Sequence, residues 1–351
     1  MIQFKKNHAV STVNSYKTIK HGGNLRQAAK LYSIPLKNWI DLSTGINPRP
    51  WLPATIPSTV WQRLPETDDD LLSSAQHYYG CDNLLPLAGS QAAIQALPFC
   101  RQRSRIGIVS PCYAEHAHWW EKAEHSIVYI KPHEIDHFIP NLDVLLLANP
   151  NNPDATHYSI EQLLGWHQRL IKDNGWLIVD EAFIDSTPEK SLLPHCKTMP
   201  EGLIVLRSIG KFFGLAGIRL GFLAAEPKLL QQVAHRQGAW AVSHPARWLG
   251  QHALTDQQWQ IQTHNFLRQQ SKNLHHLLKQ SFQEFKIRKS HYFCYIQHPE
   301  AEQIKQHLAQ LGIWTRIFKN PTAIRLGLHA NNTELQRLKE ALGSFKGIFH
   351  R

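Results

Sequence analysis

Short runs that are apolar at nearly every position recur through the middle of this chain, at 106–110, 127–130, 143–148, 176–180, 203–207 and 218–224, bounded by Asp, Asn, Pro or Gly. Runs this short and this uniformly apolar suit strands buried on both faces. Helical patterns lie between several of them. The clearest spans 159–174, where Ser159 can cap and Leu163, Leu164, His167 and Leu170 fall at helical spacing. Strands alternating with helices predict an α/β fold, a doubly wound and mostly parallel sheet. In such a sheet, ligands bind beyond the C-terminal ends of the strands. Three polar clusters stand at those ends: Asn149 to Asn152, Asp180 with Glu181, and Ser208 to Lys211.

The texture changes after Glu226-Pro227. Helices are expected over 227–237 and 246–285, then a strand at 291–297, a helix at 300–311, a strand at 322–328 and a helix at 332–344. This predicts a smaller α+β domain. A helix at 24–32 is expected to join that domain or the rim of an active site. The expected division is an N-terminal segment 1–40, a large ligand-binding domain 41–240 and a small C-terminal domain 241–351. A length of 351 residues, 42% hydrophobic and 19% charged, suits two such cores. The net charge of +11 favours acidic partners, including phosphorylated metabolites. The basic residues are dispersed rather than interleaved with aromatics, so no nucleic-acid partner is expected. The cysteines, Cys81, Cys100, Cys112, Cys196 and Cys294, are scattered, with no Cys-x-x-Cys pair, so neither a disulfide framework nor a metal site is expected. The opening residues lack the apolar core of a signal peptide and no later run reaches membrane-spanning length, so a cytoplasmic protein without membrane partners is expected. Histidine pairs such as His275-His276 read as surface residues rather than ligands.

Lys211 lies in a stretch that joins a hydroxyl (Ser208), an amine and a guanidinium (Arg219) through small residues. That is the layout of a lysine that carries pyridoxal 5′-phosphate: the aldehyde needs an amine, and the phosphate needs hydroxyl and cationic donors at a fixed distance from it. A Lys with a nearby Arg is also an ordinary solvated pair. Asp180 can pair with a pyridinium N–H, or simply cap a turn. The amide of Asn152 in Asn149-Pro150-Asn151-Asn152-Pro153 can meet a ring hydroxyl, or the run can be a turn. Gly89-Ser90-Gln91 can cradle a phosphate at a helix start, or cap that helix without a ligand.

In this order, the pieces resemble the fold-type I pyridoxal-phosphate enzymes of the aminotransferase class I/II superfamily. Pro111-Cys112-Tyr113 matches the position of the aromatic ring that stacks on the cofactor, and Ile324-Arg325-Leu326 matches a late arginine that binds a substrate carboxylate. The resemblance implies Lys211 as the Schiff-base lysine, Asp180 as the pyridine partner and Asn152 as the ring-hydroxyl partner. It assigns the phosphate to Gly89, Ser90, Gln91, Ser208 and Arg219. His21-Gly22-Gly23-Asn24-Leu25-Arg26, followed by Asp41-Leu42-Ser43-Thr44-Gly45-Ile46-Asn47-Pro48, looks like the opening of the L-threonine-O-3-phosphate decarboxylases of cobalamin biosynthesis. Those enzymes release carbon dioxide from the substrate and form (R)-1-amino-2-propanol phosphate. The alternative is an aminotransferase acting on a phosphorylated amine such as histidinol phosphate. A noncatalytic cofactor-binding protein is a third reading. Phe183 stands where the aminotransferases generally carry Tyr. Arg325 is the expected carboxylate ligand, with Arg316, His21, Asn24 and Arg26 as candidates for the rim that holds a phosphorylated substrate. The superfamily also implies a homodimer.

Departures from the pattern are local. Gly210 replaces a hydroxyl residue before the lysine, and Leu64 replaces a Tyr that reaches the partner subunit's cofactor phosphate. Asp154-Ala155 replaces Thr-Gly, a change that concerns a turn more than the chemistry.

Overall fold

Leu177 and Val179 pack into one core layer, and Ile178 between them packs into another, so both faces of their strand are covered. The same alternation runs through Leu145 to Leu147 and Leu203 to Leu206. It is the reason the runs read as apolar throughout. Burying each such side chain stabilises the fold by about 1.5–3 kcal/mol. The structure, a computed structural model, describes residues 21–349. Its first strand is β1 (Ile40–Asp41). A central sheet is built from β2 (Leu84–Leu87), β3 (Arg105–Val109), β4 (Ser126–Ile130), β5 (Val144–Ala148), β6 (Trp176–Asp180), β7 (Leu203–Ser208) and β8 (Gly221–Ala224). Then follow β9 (Ile287–Lys289), β10 (Phe293–Gln297), β11 (Ile313–Trp314), β12 (Arg316–Lys319) and β13 (Thr322–Gly327).

The central order is β2-β8-β7-β6-β5-β3-β4. Strands β3 to β7 are parallel to their neighbours among them, and β8 runs antiparallel to β7 and β2. This is the doubly wound, mostly parallel sheet that the alternation predicts. The ends of β3, β5, β6 and β7 deliver Tyr113, Asn152, Asp180 and Lys211 to one edge. The helix Ile160–Leu170 is capped as expected, with Ser159 Oγ accepting from Gln162 N and the Gln162 side chain accepting from Ser159 N.

A second, antiparallel sheet has the order β12-β13-β10-β9. Helix Gln257–Ser281 packs on β9 and β10, and helix Ala301–Gln310 on β12 and β13. The N-terminal helix Leu25–Tyr32 lies against helix Ala301–Gln310, with Ala28, Trp39 and Ala309 in one small core. Strand β1 pairs in parallel with β11. Residues 1–20 of the expected N-terminal segment lie outside the described residues. Among the described residues, no helix is long and apolar enough to cross a membrane.

Three expectations need correction. The single helix at 246–285 is two, His244–Thr255 and Gln257–Ser281, because Asp256 leaves helical geometry and its carboxylate caps Trp259 N at 3.0 Å. The strand at 218–224 begins only at Gly221, because Arg219 adopts a left-handed conformation with φ 55°. Strand β2 is absent from the sequence reading: it has four residues and contains Pro86, which an edge strand tolerates. The short strands β1, β9, β11 and β12 are likewise missing from that reading.

Candidate active site

Strand parity decides which side chains meet. Asp180 and Ser208 end their strands on the face where Ile178 and Leu206 also point, while Arg207 points to the other face. Asp180 is buried, and both its oxygens have partners: His116 Nε2 lies 3.0 Å from Oδ2, and Ala182 N donates to Oδ1 at 3.0 Å. Ser208 Oγ accepts from Gly210 N at 3.3 Å, which caps the short helix Ile209–Phe212 and leaves the hydroxyl proton to donate elsewhere. The Lys211 carbonyl accepts from Asn47 N at 3.0 Å, and Asn47 Nδ2 donates to Phe212 O at 2.8 Å, so the Asp41 to Pro48 segment clamps the lysine turn. Burial, with the guanidinium of Arg325 next, lowers the Lys211 amine to about 8; Asp180 works in the opposite direction. Near neutrality a larger fraction of this amine than of an ordinary lysine is therefore an uncharged nucleophile. Its Nζ stands 5.3 Å from the centre of the Phe183 ring.

Two glycines admit cationic and amide donors at the neighbouring loop. A Cβ on Gly89 would stand 2.6 Å from Arg219 Nη2, and one on Gly221 would stand 2.5 Å from the Ser90 N. Gly89, Ser90 and Arg219 are thus in one place. Gln91 is there too, with its side chain already engaged: Oε1 accepts from the Tyr113 hydroxyl at 3.3 Å and Nε2 donates to Glu115 Oε2 at 2.8 Å. That leaves the Gln91 backbone N–H as its donor to a ligand.

Opposite this floor stands the small sheet. Arg325 Nη1 donates to Asn152 Oδ1 at 2.6 Å and Nη2 donates to Ser43 O at 2.9 Å, while its Nε is buried without a partner. The first bond fixes the Asn152 amide so that its NH2 faces away as a donor. Burial and then the Arg316 guanidinium lower Arg325 to about 9, so it stays charged at neutral pH with no carboxylate bonded to it. Arg316 opposes Arg325 across the β12–β13 ladder and is half-buried near Tyr113.

His21 reaches the rim from the chain's opening. Its Nε2 lies 2.8 Å from Glu115 Oε1, and its ring is 5.8 Å from that of Tyr113. The glycines after it explain the path: a Cβ on Gly22 would stand 2.5 Å from Ser43 O, and Gly23 N donates to Ser43 Oγ at 2.7 Å. Asn24 and Arg26 are exposed, and among the described residues no hydrogen bond joins either side chain to this cluster. The sequence reading did not single out His116, Glu115 or Asn47. His116 is one of 22 histidines, and no spacing marks it. Asn47 lies within the quoted opening motif and could have been found there. Among the described residues, no group of three or more His, Cys, Asp or Glu could hold a metal ion.

An amine of lowered pKa, a carboxylate backed by histidine, an amide donor, a glycine-lined cationic nest and a facing guanidinium lie where the central sheet meets the small one. Residues 37–342 match the aminotransferase class I and II family, and the chain belongs to that family. It is 48% identical to a threonine-phosphate decarboxylase of Pseudomonas aeruginosa over 332 residues, which cover 95% of this chain and 99% of that protein. A threonine-phosphate decarboxylase of a Sinorhizobium species is 36% identical over 92% of this chain and 97% of its own length. Among solved structures, the histidinol-phosphate aminotransferase of Clostridium acetobutylicum aligns with a TM-score of 0.77 over 88% of this chain and 99% of that one. At 19% identity, that likeness establishes the fold alone.

Proposed function

We propose that this protein uses pyridoxal 5′-phosphate to decarboxylate L-threonine O-3-phosphate to (R)-1-amino-2-propanol phosphate, a step of cobalamin biosynthesis. The observation that carries this choice is the 48% identity to the P. aeruginosa decarboxylase across 95% of the chain. The donor set fits the cofactor. A nucleophilic amine suits its aldehyde, the Gly89–Arg219 nest suits its phosphate, and the unpartnered Arg325 Nε suits an added carboxylate.

When bound, pyridoxal phosphate supplies an aldehyde that takes up the substrate amine and a ring that accepts electrons from the breaking bond. The protein's own residues do the rest. Lys211 would hold the aldehyde, and its amine could supply the proton that the substrate carbon takes up when it loses carbon dioxide. Asp180, oriented by His116, would keep a proton on the ring nitrogen. The Asn152 amide would donate to the ring hydroxyl, where Phe183 offers no second donor. Tyr113 would supply the aromatic wall of the cofactor site. Ser208, Arg219 and the backbone N–H groups of Gly89, Ser90 and Gln91 bind the cofactor phosphate. Arg325 takes the substrate carboxylate through its Nε, and Arg316 and His21 meet the substrate phosphate. Asn24 and Arg26 form the outer part of that rim. By gripping the carboxylate and the phosphate at separate places, Arg325 on one side and Arg316 with His21 on the other would fix the orientation of the substrate, and orientation selects which bond breaks.

The working protein is a cytoplasmic homodimer. The exposure of Trp61, Leu64 and Trp240, each more than 60% exposed, supports a second copy as partner. Loading the protein with pyridoxal phosphate, adding threonine phosphate and following carbon dioxide and the amine tests the proposal. One carbon dioxide per amine formed is expected. Consumption of a keto-acid acceptor with no carbon dioxide released overturns it in favour of an aminotransferase.

A further inference from the structure

The register of the small sheet lines up four side chains in one row. Arg288 is opposite Tyr295, Tyr295 opposite Arg325, and Arg325 opposite Arg316. Directly opposed residues share a face. Two of these arginines reach the same loop of the central sheet, 149–156. Arg325 bonds Asn152, and Arg288 Nη1 donates to Asp154 Oδ2 at 2.7 Å and lies 3.2 Å from Thr156 Oγ1.

Asp154 is 4% exposed and is the hub of that loop. Besides Arg288, its carboxylate accepts from Asn151 Nδ2 at 2.6 Å, Thr156 N at 3.1 Å and Thr156 Oγ1 at 2.8 Å. Asn151 Nδ2 also donates to Pro111 O at 2.8 Å, which extends the network to the turn that carries Tyr113. The carboxylate gives this loop a charged grip on the small sheet.

We propose that Asp154 and Arg288 are a positioning pair for substrate recognition: they set where the small sheet seats on loop 149–156, and so hold Arg325 in register with Asn152. The inference rests on the reading that Arg325 takes the substrate carboxylate. Arg288 touches neither the amine nor the cationic nest and acts only through the loop. An exposed ion pair of this kind usually contributes little. Here one partner is buried, and the two arginines are held on one row of a hydrogen-bonded sheet. A shift at Arg288 is therefore passed to Arg325 rather than absorbed locally.

The test uses the pyridoxal-phosphate-loaded protein with Arg288→Gln, Arg288→Lys, Asp154→Asn and the double variant Asp154→Asn/Arg288→Gln. Three measurements are made: kinetics of carbon dioxide release for kcat and KM, thermal shift for the dissociation constant of threonine phosphate, and amide hydrogen exchange across 149–156. Arg288→Gln is expected to raise KM and the dissociation constant about tenfold with kcat within about twofold, the mark of lost binding rather than lost chemistry. Cofactor absorbance stays unchanged, Arg288→Lys recovers most of the loss, and the double variant is no worse than the more severe single one. Amides of 149–156 exchange faster in Arg288→Gln without substrate. Unchanged KM, additive losses in the double variant, or unchanged loop exchange overturns the proposal. Hydrogen exchange needs no substrate, so a wild-type protein that ignores threonine phosphate defeats the functional reading while leaving the seating of the loop decided on its own.

Discussion

Arg207 and Arg325 are both buried, at 2% and 6% exposure, and they are opposites. Arg207 points away from the site and is held by two carboxylates: Nη1 donates to Glu181 Oε2 at 3.0 Å and Nη2 to Asp185 Oδ1. Burial works against its charge, but Asp185 and Glu181 more than offset it and hold its pKa above the ordinary value. Arg325 bonds only an amide and a carbonyl oxygen, and its pKa is depressed. A buried charge that finds its counter-ions inside the fold is structural. One that is left with neutral partners is poised for an anionic ligand.

Removing each arginine separates the two roles. Arg207→Met leaves Glu181 and Asp185 buried without their cation and is expected to destabilise the protein by about 3–5 kcal/mol, read by urea unfolding. Arg325→Met should leave stability unchanged or higher and lower kcat/KM for threonine phosphate by about tenfold to a hundredfold, the loss of a charged hydrogen bond to substrate. Equal loss of stability in both variants breaks the distinction.

A subtler effect links Arg325 to the floor. Because its charge helps hold the Lys211 amine near 8, Arg325→Met moves that pKa upward. The rate at which the cofactor-free protein captures pyridoxal phosphate rises with pH as Lys211 loses its proton. In the variant this rise is expected to shift to higher pH, as stopped-flow absorbance will show. The smallest effect belongs to the outer rim: Arg26→Ala is expected to change KM by less than about twofold, a surface-level effect. A tenfold rise in KM instead brings Arg26 into substrate binding.

Pattern carried the floor of the site further than its rim. Asp180 and Ser208 end their strands, Asn152 and Lys211 follow closely after theirs, and a doubly wound sheet gathers strand ends at one edge, so their meeting is a consequence of secondary structure. His116 follows no such rule. It reaches Asp180 because helix Ala114–Lys122 lays its first turn across the end of β6, a packing event with no period to read. Glu115 joins His21 to Gln91 for the same reason. On the small sheet, the late arginine was legible only through family resemblance, and β12, which carries Arg316, was not legible as a strand. Asp256 likewise ends one helix and starts another through a cap and a bond from Trp51 Nε1 at 2.9 Å, a contact between residues 205 apart.

The sequence by itself determined the parallel sheet, the order of its strand-end residues and the lysine among them, because local apolar periodicity and chain connectivity leave few ways to bury both faces of each strand. Only the tertiary structure decided which buried charges are neutralised. It bonded two carboxylates to Arg207 and none to Arg325. That difference depends on sheet faces and on the seating of the small sheet against the central one, and electrostatic pairing across such distances leaves no mark in the spacing of residues along a chain.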